Sequence, residues 1–252
     1  KAKKSRNHTE LLLKYLNYPI KIKKNKNHDL IEVQGLKQFR SFEYVVPGDI
    51  SSASFFIVLT LLSQKSSLIL KNINVNPLRA GIINILNRMN AQIKIYDKRN
   101  YKGELIGSIK VKSANNFKPI NCPKSLNSSA IDEFLLIFLI AAKARGISTF
   151  KNLDELNKKE SPRLDIAVDF LKMIGVKVKK NNSNIKIYGN PDLKLNRNYH
   201  VKAFLKDHRV FMMSVIAALT LGGKWKINDK DSINTSFPNF LKITKKLGAT
   251  FH

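Results

Sequence analysis

A unit written three times most limits how this chain can fold. Ser51 to Ser63 is an apolar run at helical spacing and Leu68 to Ile73 alternates as a strand; Leu78 to Met89 is helical again and Ala91 to Ile95 alternates. The series recurs as a helix over Ile131 to Ala144, a strand over Ser148 to Leu153, a helix over Pro162 to Ile174, and a strand pair over Val176 to Val178 and Asn184 to Tyr188. It returns as Arg209 to Leu221, Lys224 to Asn228, Phe237 to Leu247 and a terminal strand, Ala249 to Phe251. The second helices end alike, at Met89-Asn90-Ala91, Ile174-Gly175-Val176 and Leu247-Gly248-Ala249, marks about 85 and then about 73 residues apart. The expected fold is α/β (α+β): repeated helix-strand-helix-strand modules with variable hairpins and pseudo-threefold symmetry, helices inside and short sheets covering them.

Symmetry of this kind brings equivalent positions together. Asp49, Asp132 and Asp207 stand at or just before the first helix of each repeat, so the packing would carry them to a common face. Each also reads more simply as a helix cap, at about 1 kcal/mol apiece. Val46 to Phe56, Lys159 to Arg163 and Asp207 to Arg209 place charged or small polar residues where a loop gives way to an apolar helix, and free N–H groups there favour anions. Lys159, Glu160 and Arg163 have a rival reading as surface charges, with Ser161-Pro162 as N-cap and first helical position. Asp207-His208-Arg209 fits either a site or a buried structural ion pair.

With 252 residues and 43% hydrophobic content, the chain can bury one large core or two modest ones. A lone cysteine, Cys122, excludes internal disulfides and cysteine-cluster zinc sites and fits a reducing compartment, so the expected location is cytoplasmic. No apolar run approaches the ~20 residues of a membrane span. Phe134 to Ala142, flanked by Asp132, Glu133 and Lys143, reads as a buried helix. The net charge of +27 invites a nucleic-acid reading, but the lysines are spread among Asn and Ile through almost every segment and are dense only at Lys1 to Lys4 and Lys21 to Lys26. A positive field serves anionic metabolites equally well. Residues 1–46 hold a helix over Thr9 to Leu16 and a hairpin of Ile20 to Ile22 with Leu30 to Val33, without a complete module. They read as the C-terminal tail of a preceding domain, with Pro47-Gly48 opening a three-repeat domain over 47–252. The opening Lys-Ala-Lys-Lys lacks an initiator Met, and the expected N-terminus lies upstream.

Ser5-Arg-Asn-His-Thr-Glu10, Val46-Pro-Gly-Asp-Ile-Ser-Ser-Ala-Ser54, Asn76-Pro-Leu-Arg-Ala-Gly81, Ile131-Asp-Glu133, Lys159-Glu160 with Arg163, Asp207-His-Arg209 and Ser236-Phe-Pro238 follow one another in an order that resembles 5-enolpyruvylshikimate-3-phosphate (EPSP) synthase. The first of these, and Thr235-Ser-Phe-Pro238 in place of Lys-Ser/Thr-Phe-Pro, look more like the bacterial class II subgroup; a substrate-contacting lysine is thereby in doubt at Thr235. The resemblance implies an inside-out α/β barrel of two three-repeat domains. It also implies that this chain lacks the N-terminal half, with its Lys-Ser loop, Gly-Asn-x-Gly-Thr stretch and Ser-Ser-Gln segment, and is a fragment inactive alone.

By the same resemblance, the reaction transfers the enolpyruvyl group of phosphoenolpyruvate to the 5-hydroxyl of shikimate 3-phosphate in the shikimate pathway, with no cofactor or metal. Asp132 would be the base at the hydroxyl and Glu160 would exchange protons at the methylene carbon. Arg163 and Arg209 would clasp the phosphoenolpyruvate carboxylate; Lys159 and Arg6 would meet shikimate 3-phosphate; His208 would position substrate or shuttle a proton. Pro162 stands where the family usually has Asp, a change that bears on how Glu160 is aimed. Ser51, Ser52 and Ser54 read as caps and packing, since no nucleophile elbow surrounds them. The competing class is a basic RNA-phosphate-handling protein of related repeat fold, which would need a histidine nucleophile in a context that His208 does not offer.

Overall fold

A computed structural model describes residues 2–3, 5–26, 28–38, 41–202 and 204–251; Lys1 and Lys4 of the first lysine cluster lie outside them. The chain order is β1 (Ala2–Lys3), α1 (His8–Tyr15), β2 (Ile20–Lys24), β3 (His28–Val33), α2 (Ile50–Leu62), β4 (Ser67–Asn74), α3 (Gly81–Arg88), β5 (Gln92–Tyr101) and β6 (Glu104–Lys112). Then follow α4 (Phe134–Ala142), β7 (Gly146–Phe150), α5 (Arg163–Met173), β8 (Lys177–Asn181), β9 (Asn184–Gly189), β10 (Leu195–Val201), α6 (His208–Leu221), β11 (Gly222–Ile227) and α7 (Phe240–Lys246).

The first helix of each module is apolar nearly all round, so each must be covered on all sides. All nine residues of α4 are buried, as are most of α2 and α6. These three helices pack on one another, and the sheets close over them as the repeat requires. Modules one and two build the same three-stranded sheet, β4-β6-β5 and β7-β9-β8, in which the hairpin's return strand lies antiparallel between two strands linked by a helix. The β5–β6 turn, Lys102-Gly103, has φ of 49° and 91°, the positive pair a two-residue type I′ hairpin needs.

The shared helix endings have one physical cause. Asn90, Gly175 and Gly248 all lie in the left-handed region, with φ of 67°, 81° and 101°. After each, an N–H reaches back to close a Schellman motif: Ala91 to Leu86 O at 3.0 Å, Val176 to Leu171 O at 2.9 Å, Ala249 to Thr244 O at 3.1 Å.

One expectation needs correction. Ala249 to Phe251 is not a strand. The strand that completes the third module is instead β10, which runs parallel to β11 with α6 as the crossover. Its polar sequence, Leu-Asn-Arg-Asn-Tyr-His-Val, has no clean alternation to betray it. The same feature exists in miniature elsewhere. Gly48 makes a parallel bridge to Ile73 and Asn121 one to Thr149, so each module opens with an extended segment beside its own first strand.

Aromatic rings join the modules. Phe237 and Phe240 pack on Phe55 and Phe56 of α2, while Trp225 stacks between Tyr199 and Phe170, at 4.7 and 5.9 Å between ring centroids. At the N-terminal end, the expected hairpin forms as β2–β3, and the tip of β5–β6 packs on α1. Among the described residues no helix is long and apolar enough to cross a membrane.

Candidate active site

The three acidic residues do converge, and arginines are what tie them. Asp49 accepts from the N–H groups of Ser51 and Ser52, and Asp207 from that of Arg209, so both cap their helices. Asp132 caps nothing. It sits in the turn ahead of α4, one residue before the N-cap position at Glu133, with its carboxylate turned into a ring of cations. Arg6 donates to it, Arg163 Nη1 lies 3.5 Å away, Arg79 Nη2 3.6 Å, Lys159 Nζ 3.8 Å and Arg209 Nη2 3.9 Å.

Chain geometry explains this density. Arg79 precedes α3, whose first residue is Gly81; a Cβ there would fall 2.8 Å from the backbone carbon of Ser129, so only glycine lets α3 start so close to the turn carrying Asp132. Arg163 opens α5 and is 1% exposed. Its Nε donates to Asp207 Oδ2 at 2.8 Å, Nη2 donates to Asp207 Oδ1 at 3.3 Å and also to Glu160. The surface-charge reading therefore fails for Arg163. Ser161 is not the N-cap either, since its hydroxyl donates to Asp207 at 2.8 Å; the first N–H groups of α5 are met by Asn157 Oδ1, at 2.9 Å from Leu164 N.

Burial and charge oppose each other at Asp132, Asp207 and Glu133. Burial alone would raise Asp132, but Arg209, Arg6, Arg79 and Lys159 outweigh it and hold the carboxyl below its ordinary range. At Asp207 burial is likewise overcome by hydrogen bonds and charge from Arg163, helped by Ser161 and the Arg209 N–H. Glu133 goes the other way: wholly buried, it is pushed up despite Arg79, Ser51 and Arg209. Burial, then Arg209, lowers His208, which favours the neutral imidazole. Glu160 is the open member, its side chain 56% exposed while it pairs with Arg163.

The six other residues given a role from sequence, Arg6, Lys159, Glu160, Arg163, His208 and Arg209, thus lie around Asp132 or beside its direct partners. Lys159 also sits 3.5 Å from Glu155. Two further members, Arg79 and Glu133, carried no role in that reading, and Ser51 was read as a cap or packing residue; Asp49 is the cap of α2, and Ser51 joins Arg79 and Glu133 in one buried network. Arg79 and Glu133 stand in the family-like segments Asn76 to Gly81 and Ile131 to Glu133, which was the available signal. Thr235 ends a 3-10 turn and donates to Ser232 O at 3.5 Å. Cys122 is buried, and burial pushes its thiol up to about 11, against nucleophilic use. Among the described residues no group of three or more His, Cys, Asp or Glu is placed to hold a metal ion.

Comparison with known proteins finds relatives along nearly the whole chain. The 3-phosphoshikimate 1-carboxyvinyltransferase of Ruthia magnifica is 36% identical over 248 residues, covering 97% of this chain and 54% of that protein; the one from Caldicellulosiruptor bescii is 38% identical, covering 97% and 56%. The chain spans about half the length of the curated relatives it matches. In structure it resembles EPSP synthase of Acinetobacter baumannii, with a TM-score of 0.89 at 30% identity over 98% of this chain and 56% of the other. An enolpyruvyl transferase of Streptomyces tendae shares the fold, with a TM-score of 0.68 at 14% identity. The family description EPSP synthase (3-phosphoshikimate 1-carboxyvinyltransferase) matches residues 1–243, and the chain belongs to that family.

Proposed function

We propose that this chain supplies the phosphoenolpyruvate side of an active site that transfers the enolpyruvyl group to the 5-hydroxyl of shikimate 3-phosphate and releases phosphate. In this reading residues 47–252 are the three-repeat domain and residues 1–46 the tail of a preceding one. The observation that carries it is a carboxylate that caps no helix, Asp132, 10% exposed and ringed among the described residues by five cations from four separate parts of the chain.

Asp132, held ionised by those cations, takes the proton from the 5-hydroxyl as its oxygen attacks C2 of phosphoenolpyruvate. Glu160 delivers a proton to the methylene carbon, giving a tetrahedral adduct. It then removes a proton from the resulting methyl group as the C2–O bond to phosphate breaks, and the hydroxyl proton held on Asp132 leaves with the departing phosphate, so both carboxyl groups return to their starting state. Arg163 Nη1 and the Arg209 guanidinium face the space beside Asp132, where a planar fork matches the phosphoenolpyruvate carboxylate. Lys159 and Arg6 answer the phosphate of the second substrate. Neutral His208 positions substrate or carries a proton.

Charge balance argues for a partner half. Arg163 is already matched by Asp207, and Arg79 and Arg209 by Glu133 and Asp132 together, so little cation is left uncommitted for two anionic substrates. Calorimetric titration of the folded chain with each substrate, beside an Arg209→Ala variant and a phosphate-release assay with Asp132→Asn, tests this. Weak binding is expected, roughly tenfold to a hundredfold weaker for phosphoenolpyruvate in Arg209→Ala. A folded chain that binds neither substrate sinks the reading; phosphate release that Asp132→Asn abolishes would instead show that this half suffices.

A further inference from the structure

Behind Asp132 lies a second carboxylate that the proposed chemistry does not use. Glu133 is wholly buried, and it touches the same two arginines as its neighbour. Arg79 Nη1 donates to its two oxygens at 3.3 and 3.5 Å, and Arg209 Nη1 lies 3.8 Å from Oε1. Asp132 meets these arginines on their outer side, at 3.6 and 3.9 Å. The four groups form a square of alternating charge, its inner edge buried and its outer edge facing the site. Ser51 locks one corner: its hydroxyl donates to Glu133 and accepts from Arg79. Arg79 also lies 3.9 Å from Asp49, the N-cap of α2.

The geometry points to Arg79 as a positioning residue: braced from behind by Glu133 and Ser51, it fixes where the Asp132 carboxylate stands, while Glu133 does the same for Arg209. The significance of this rests on the proposed role of Asp132. The physical reason is order. A turn residue outside any helix has no backbone ladder to hold its side chain, and exposed partners such as Arg6 lose rotamer entropy when they pair. A guanidinium buried to 8% exposure, with hydrogen bonds already made on its far side, has lost that freedom on folding and holds its outer edge in place. Loss of the Arg79 charge should then be felt at Asp132, although four other cations remain: Arg6 from the segment before α1, Lys159 and Arg163 from the start of α5, and Arg209 from α6.

The test is carboxyl-carbon NMR of the full chain labelled in Asp and Glu, with Asp132 assigned by Asp132→Asn and titrated in wild type, Arg79→Gln and Arg79→Lys. The Asp132 midpoint should rise in Arg79→Gln and lie between the two in Arg79→Lys, whose ammonium cannot span Glu133 and Asp132 together. A bracket that merely joined modules would cost stability and leave the midpoint in place. Such an unmoved midpoint in either folded variant overturns the proposal, and Arg79→Lys decides it if Arg79→Gln does not fold. No substrate is present in this titration. Failure to bind either substrate would therefore count against the proposed function, and an unmoved midpoint against Arg79 alone.

Discussion

Arg163 shows how one residue serves two ends. Among the described residues its guanidinium is the sole side-chain cation hydrogen-bonded to the fully buried side chain of Asp207, and it also faces Asp132. Removing it would strand a buried carboxylate, a change that costs about 3–5 kcal/mol where it has been measured elsewhere. Arg163→Met should therefore lower the urea midpoint by that order, and Arg163→Met/Asp207→Leu should recover much of it. A single variant as stable as wild type would mean that water reaches Asp207 in solution. Sequence pattern alone could not tell this arginine from a surface charge, because Lys159, Glu160 and Arg163 form a charged cluster at a helix start whichever way they point. Burial against Asp207, 44 positions away, made the difference.

The helix endings are the best legible elements, since a left-handed cap is a local requirement met by local residues. Gly175 has φ of 81° and a Cβ there would meet nothing within 4 Å, so Gly175→Ala isolates backbone strain from crowding. A loss of about 1 kcal/mol is expected in chemical denaturation, and Asn90→Gly, at the equivalent cap, should be neutral or slightly stabilising. An Ala variant as stable as wild type would show that α5 can end without this cap. Strand β10 illustrates the opposite case. Its pairing with β11 is nonlocal, arranged by the α6 crossover, and nothing in its alternation announces it.

On the scale of the whole molecule, acid should act in separable stages. His208 is lowered in the folded state, so near its ordinary value of 6.5 the unfolded chain binds more protons and stability falls as pH drops through that range. Asp132 and Asp207 are also lowered; their contribution is fully present above the ordinary carboxylate range and is lost as pH falls through their folded values. Glu133, raised by burial, works the other way and favours the folded state as it takes up its proton. Urea midpoints measured from pH 8 to 3 should therefore decline below about pH 6.5. His208→Gln should flatten the first part and Asp207→Asn the last. A midpoint that holds constant from pH 7 to 5.5 in wild type would rule out the His208 contribution.

Period, cap and motif are properties of neighbouring residues, and they alone determined the triple repeat, the helices, the Schellman endings and the family resemblance now shown by residues 1–243. The same local information, through the resemblance, singled out Arg6, Asp132, Lys159, Glu160, Arg163, His208 and Arg209. Only the tertiary structure decided which acids cap helices and which is left uncapped, that β10 completes the third sheet, and that Arg79, Glu133 and Ser51 stand behind Asp132. The site facts depend on which side chains near helix starts come within 4 Å of one another. That distance is set by packing three apolar helices and by a glycine at position 81, a long-range balance that no window of sequence contains.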